Sequence, residues 1–158
     1  GALTYTPTTG VGGLLTFASK SADEVLLDLN GAPNQIVSAS NEIEIPNTAL
    51  FPTSVWLALA ARRVGDGTSE QISSYWLRTV QNIKRVETTY KAETAGASST
   101  PRITFYRNDP LRIEYALSQP FEQFAPQAKD NMIVTNCHMR TAGVILKLPK
   151  SMIYLDRV

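Results

Sequence analysis

The sequence has 158 residues, 43% hydrophobic and only 18% charged, with 9 Gly, 9 Pro and a net charge of +1; that length suffices for one sizeable core, so a single domain over residues 1–158 is expected. A lone cysteine, Cys137, excludes an intrachain disulfide and a cysteine zinc site. The most apolar run, Val55–Ala61, is far too short to span a bilayer, and the opening Gly-Ala-Leu-Thr-Tyr-Thr-Pro lacks the basic and apolar regions of a signal peptide.

Leu3–Thr6 and Leu14–Phe17 flank Thr8-Thr9-Gly10-Val11-Gly12-Gly13, whose glycines accept the positive φ of a reversing chain, so an N-terminal hairpin is expected. Val25–Leu29 is a short apolar segment closed by the turn signal Asn30-Gly31-Ala32-Pro33. Ile36-Val37 and the alternating Glu42-Ile43-Glu44-Ile45 read as half-buried strand, stopped by Pro46. Over Thr53–Val64 the alternation of Val55, Leu57 and Leu59 favours a strand, against the helix that Ala58, Ala60 and Ala61 favour. Ser69–Lys91 supports two readings: a helical stripe through Ile72, Trp76, Val80, Ile83 and Tyr90 capped by Ser69, and a strand in which Trp76, Val80, Val86 and Tyr90 share a parity. Ala92–Thr100 is loop in composition.

Arg102–Ser118 has the clearest pattern. Ile103 and Phe105 alternate with Arg102, Thr104 and Tyr106; the turn Arg107-Asn108-Asp109-Pro110 follows; then Leu111, Ile113, Tyr115 and Leu117 alternate with Arg112, Glu114, Ala116 and Ser118. A hairpin with one apolar and one polar face is expected. Pro120–Gln127 is an irregular apolar connector, and Asp130–Leu148 fits either a helix capped by Asp130 or a second hairpin turning at Thr141-Ala142-Gly143. The whole reads as α+β, an N-terminal hairpin and antiparallel sheet with a C-terminal helix; an all-β sandwich or jelly roll is the alternative.

Chemistry is sparse. The single histidine, His138, has no nucleophile context such as GxSxG, and its neighbour Cys137 points elsewhere on either a strand or a helix, so a buried Cys beside a partly exposed His is expected and catalysis is not. Gly10, Gly12 and Gly13 precede no phosphate-loop Lys-Ser/Thr, and Asp23, Glu24 and Asp28 lack EF-hand spacing and read as surface acids. No cofactor, metal or small-molecule substrate is expected. The positive signal is charge: Ala61–Arg112 carries an excess of four positive charges over its acids. Arg102, Thr104, Tyr106 and Arg112 lie on the polar face of the expected hairpin, and Arg78, Asn82 and Lys84 share a parity that extends it if they form a neighbouring strand. Guanidinium groups beside an aromatic ring suit phosphates and an unpaired base, so these seven are the candidate RNA-binding residues. A low charge content also favours covering weakly polar surface with further copies of the chain.

The segment Arg112-Ile113-Glu114-Tyr115-Ala116-Leu117-Ser118-Gln119-Pro120-Phe121, followed by Asp130 and the apolar run Met132–Leu148, is similar to the last strand, Pro-aromatic exit and helix of the single-stranded RNA phage coat proteins, and Leu3–Phe17 resembles that family's hairpin. The resemblance implies a self-assembling capsid subunit whose partners are itself, as a homodimer and then a higher-order shell, and single-stranded RNA held on a sheet face. It implies a virion protein assembled in the host cytoplasm, with no membrane partner. The alternative is a structural protein without a nucleic-acid role, such as a phage tail, decoration or fimbrial subunit.

Overall fold

The computed structural model describes residues 2–11 and 13–158. It divides into two compact units, one made of the residues up to Asn108 together with Leu148–Val158, the other of Asp109–Lys147. The first unit contains β1 (Leu3–Tyr5), α1 (Ala22–Ala39), β2 (Thr48–Pro52), α2 (Thr53–Ala61), α3 (Ile72–Thr79), β3 (Arg85–Thr89) and β4 (Arg102–Tyr106). The second contains β5 (Ile113–Ala116), β6 (Gln119–Gln123), β7 (Gln127–Lys129), β8 (Met132–Val134), β9 (Cys137–Arg140) and β10 (Gly143–Leu146), and the chain then returns to the first unit with β11 (Met152–Asp156). The class is α+β, with its helices in the N-terminal half.

The sheet of the first unit has the order β1-β11-β4-β2-β3; its outer pairs are parallel and its inner pairs antiparallel. Alternate residues of the inner strands, Ala49 and Phe51, Ile103 and Phe105, Ile153 and Leu155, join Val25, Leu29, Ala32 and Ile36 of α1 and Ile72 and Trp76 of α3 in one core without solvent exposure. The four α1 residues recur at the spacing of a single helical face. Phe51, Trp76 and Phe105 meet edge-on with centroids 5.7 to 6.2 Å apart, and Trp76 Nε1 donates to Asn30 Oδ1 at 3.1 Å, so the largest side chain leaves no buried donor unpaired.

Several sequence expectations give way here. Asn30-Gly31-Ala32-Pro33 is not a turn but the middle of α1. The helix is started by a capping box, Glu24 N–H donating to Ser21 Oγ at 3.3 Å and Ser21 N–H to Glu24 Oε2 at 2.7 Å, and the Ser21 N–H and hydroxyl bonds to its carboxylate hold Glu24 below its ordinary pKa. Gly31 is there for space: a Cβ would overlap the Tyr5 phenol of β1. Glu42–Ile45 is no strand, because Asn41 and Glu42 turn left-handed (φ 53° and 65°) and Glu42 N–H closes the helix on Val37 O at 2.8 Å. Thr53–Ala61 is helix, not strand; Ser54 N–H and hydroxyl bind the Glu93 carboxylate at 2.8 and 2.5 Å, a negative charge at the helix start. Ser69–Lys91 divides between its two readings, α3 followed by β3.

The N-terminal hairpin is absent. β1 pairs in parallel with β11, and Leu14–Phe17 runs as loop into a 3₁₀ turn over Phe17–Ser19; Gly12 of the expected turn lies outside the described residues. A buried carboxylate organises this segment. Asp28, expected as a surface acid, is fully buried on α1 and accepts from Thr8 N at 2.8 Å, Thr8 Oγ1 at 2.9 Å and Lys20 Nζ, whose side chain is equally buried. Arg62 donates to the carbonyls of Phe17, at 2.9 Å, and Lys20. An ion this deep must be paired and hydrogen-bonded, so Thr8 and Lys20 are drawn against α1.

The Arg102–Ser118 hairpin is also absent, although both of its strands exist. β4 has β11 on one side and β2 on the other, which leaves no edge for β5, and β5 pairs with β10 instead. In the second unit the antiparallel pairs β5/β10, β6/β9 and β7/β8 nest into one two-stranded ribbon with a bulge between Gln119 and Glu122. Its tip is Asp130-Asn131, both left-handed (φ 49° and 61°) as a two-residue primed turn requires. The expected helix over Asp130–Leu148 is therefore strand, and the alternative hairpin at Thr141-Ala142-Gly143 fails because β9 and β10 pair with β6 and β5, not with each other.

Replacing Lys20 by Met leaves Asp28 as an uncompensated buried charge and should cost about 3–5 kcal/mol in urea unfolding. Lys20→Met combined with Asp28→Asn should recover much of that loss. A single variant as stable as the parent would contradict the pair's structural role.

Candidate assembly interface

The ribbon is built from short alternating strands, and the alternation decides its faces. Register places Ile113 opposite Leu146 and Tyr115 opposite Val144, so one face of its base carries four apolar side chains. The other face carries Glu114 opposite Ile145, and Lys147 Nζ reaches Glu114 Oε2 at 2.6 Å, which holds the Glu114 carboxyl below its ordinary pKa. Further out, His138 stacks on Phe124 with centroids 5.3 Å apart and Glu122 stands opposite it. Cys137, expected to be buried, is exposed.

No residue of 109–147 is buried, and eleven of its large apolar side chains are conspicuously exposed, among them Ile133 at 80% and Val144 at 64%. A two-stranded ribbon without a third strand or a packed helix is marginal in water. Apolar exposure of this density marks a surface made to be covered.

The sequence-derived RNA candidates are divided among different places. Arg102, Thr104 and Tyr106 do share the β4 face that points away from the core. Arg102, however, is held by Asp156 through Nε–Oδ1 at 2.6 Å and Nη2–Oδ2 at 2.8 Å, with its guanidinium 4.2 Å from the Tyr154 ring centroid. That pairing lowers the Asp156 pKa and raises that of Arg102. Thr104 is buried, and Tyr106 is half-buried, with burial pushing its phenol pKa up. Arg112 belongs to the second unit and sits 3.7 Å from Asp109. Arg78 is on α3, paired with Glu70 at 3.0 Å, while Asn82 and Lys84 lie in the connection to β3. The expected neighbouring strand through Arg78, Asn82 and Lys84 does not exist, because β4 already has two partners and Arg78 lies in the last turn of α3. Among the described residues there is no group of three metal-ligating side chains and no helix long and apolar enough to cross a membrane.

What sequence reasoning missed is the ribbon as a unit. Its signal is the apolar alternation of Leu111–Leu117, whose partner strand is β10 and not β4.

The fold is shared with solved structures from phages and from a virus-like particle. The capsid of Myoviridae phage XM1 matches with a TM-score of 0.84 at 14% identity, covering 100% of this chain and 52% of that one. A virus-like particle from Pyrococcus furiosus matches at 0.63 and 13% identity, covering 99% and 56%, and a structure from Mycobacterium phage Che8 at 0.59 and 10%, covering 99% and 53%. The chain spans about half the length of these structures. No curated protein matches it. A family model for the major capsid protein matches residues 3–158, and the chain belongs to that family. The expectation of a capsid protein thus stands, in a family other than the RNA-phage coat proteins that the element order resembled.

Asp156 titrates below its unfolded value, so the stability it contributes is complete above roughly pH 4 and is lost as pH falls through the lower folded value. Arg102→Ala should lower stability by about 1–3 kcal/mol at neutral pH. Asp156→Asn should flatten the acid limb of a stability-against-pH profile, and an unchanged limb would contradict this assignment.

Proposed function

We propose that this chain forms part of a self-assembling capsid shell, with the first unit as its rigid body and the ribbon as an assembly element whose apolar faces become buried in the particle. The observation that carries the reading is the coreless ribbon: 109–147 holds eleven exposed large apolar side chains and no buried one. Membership of the major capsid protein family supports it, as does the resemblance to the capsid of Myoviridae phage XM1 and to a virus-like particle from Pyrococcus furiosus. The geometry gives no comparable support to RNA held on a sheet face, since Arg78, Arg102 and Arg112 are each engaged by a carboxylate.

Val144→Glu tests the reading at an exposed position, where it should leave the thermal unfolding of the first unit unchanged and abolish or strongly reduce particle formation by electron microscopy and sedimentation. Cys137 supplies a second measurement. Its thiol should react readily in dissociated protein and be largely protected in particles. Normal particles from Val144→Glu with a freely reactive Cys137 would overturn the proposal.

A further inference from the structure

Between α1 and the end of α3 the first unit holds a small cleft of about 240 Å3 whose lining carries no charged side chain. Asn30, Pro33 and Asn34 come from α1 at the i, i+3 and i+4 spacing of one helical face. Thr79 closes α3, and Val80, Gln81, Asn82 and Ile83 follow it in the connection to β3. Pro33 and Ile83 are buried and Val80 is half-buried, which makes the floor aliphatic. Four carboxamides, those of Asn30, Asn34, Gln81 and Asn82, stand around it.

The fold leaves most of this hydrogen-bonding capacity unused. The side chains of Asn34, Gln81 and Asn82 are exposed and make no hydrogen bond among the described residues. Asn30 has one partner. The Trp76 indole N–H can only donate, and it takes Asn30 Oδ1 at 3.1 Å, so the amide is held in one orientation and its Nδ2, with two protons to donate, is left for a ligand. Thr79 Oγ1 donates to the helix carbonyls of Tyr75 at 3.0 Å and Trp76 at 3.2 Å, so towards the cleft it can only accept.

The lining selects its ligand. An anion finds no cation in it, and a nucleobase finds no aromatic face to stack on, since the Trp76 ring is wholly buried. An extended peptide needs a groove that advances about 3.3 Å per residue, whereas this cleft is smaller than the roughly 300 Å3 at which sites for drug-sized ligands begin. A neutral hydroxylated ring fits. Each of its hydroxyls donates and accepts, as each carboxamide does, and its C–H face can lie on the aliphatic floor.

We propose that this cleft binds one unit of a neutral saccharide, with Asn30 Nδ2 as the oriented donor, Asn34, Gln81 and Asn82 as paired donors and acceptors, and Pro33, Val80 and Ile83 beneath the ring. A ligand of this size without an ionic contact is held with a Kd in the millimolar range. The inference goes beyond the assembly reading and does not depend on it.

The side-chain amide resonances of the 15N-labelled full chain report the site directly. The chain is titrated with the methyl glycosides of glucose, galactose and mannose and with N-acetylglucosamine, each to about 0.1 M, and with glycerol as a polyol control. At least one sugar should shift the Asn30 and Asn34 amide signals saturably, and glycerol should not. Asn30→Asp keeps the oxygen that Trp76 requires and removes the donor, while Asn34→Ala removes an exposed carboxamide; each should weaken binding about two- to tenfold. Absence of saturable shifts with every sugar would overturn the proposal, as would saturable shifts that both variants leave unaltered. Adenosine and triglycine amide are titrated in parallel. Saturable shifts with either of them and with no sugar would assign the cleft to a base or to a chain segment and would also overturn it.

Discussion

The pairing of β4 with β11 is the constraint on which the rest depends. Tyr106 stands opposite Met152, and Arg107 N–H bonds Ser151 O at 3.0 Å, so the chain on either side of the ribbon is fixed at neighbouring positions of one sheet. A segment that must leave and return at adjacent points is served by two antiparallel strands, which is the path 109–147 takes. The same strand β11 pairs with β1 on its other side and sends Ile153 and Leu155 into the core against α1. The first unit's closure and the ribbon's origin therefore share one strand.

The two units are stabilised by different means. The first buries aromatic and aliphatic side chains behind three helices and holds a carboxylate, Asp28, that three donors satisfy. The second has backbone pairing, the ion pairs Lys147–Glu114 and Arg112–Asp109, one ring stack and no buried side chain beneath them. Exposed ion pairs contribute at most about 1 kcal/mol, so the ribbon's order has to draw on apolar burial that it does not achieve alone. In the proposed assembly role that deficit has a physical meaning: an element poorly stabilised by itself would be completed by the shell, coupling particle formation to its own ordering.

Local pattern was legible in the sequence at some elements. Arg102–Tyr106 and Ile113–Ala116 alternate and are strands, and Ile72–Thr79 has a helical stripe and is a helix. Where the cause was distant, the reading failed. Gly31 and Pro33 look like a turn because Tyr5, which makes Gly31 necessary, is 26 positions away. Asp28 looks like a surface acid because its partners, Thr8 and Lys20, come from a loop without a pattern of its own. Asp130 has the chemistry of a helix cap and of a tight turn, and only the nested pairing of β7 with β8 chooses the turn. The candidate site shared this fate: parity correctly put Arg102, Thr104 and Tyr106 on one face, but Asp156, fifty-four residues from Arg102, takes up the charge. The capsid class was reached through an element order that the structure does not have, while the low charge content and the alternation of Leu111–Leu117 were the observations that bore directly on assembly.

The central claim is that the ribbon gains its order from burial in the shell. Hydrogen–deuterium exchange followed by peptide mass analysis, on dissociated protein and on particles, tests it most directly. The account predicts fast exchange throughout 113–146 in dissociated protein, slow exchange over the same amides in particles, and core amides of β4 and β11 protected in both. Particles in which 113–146 still exchange as fast as in the dissociated chain would contradict it.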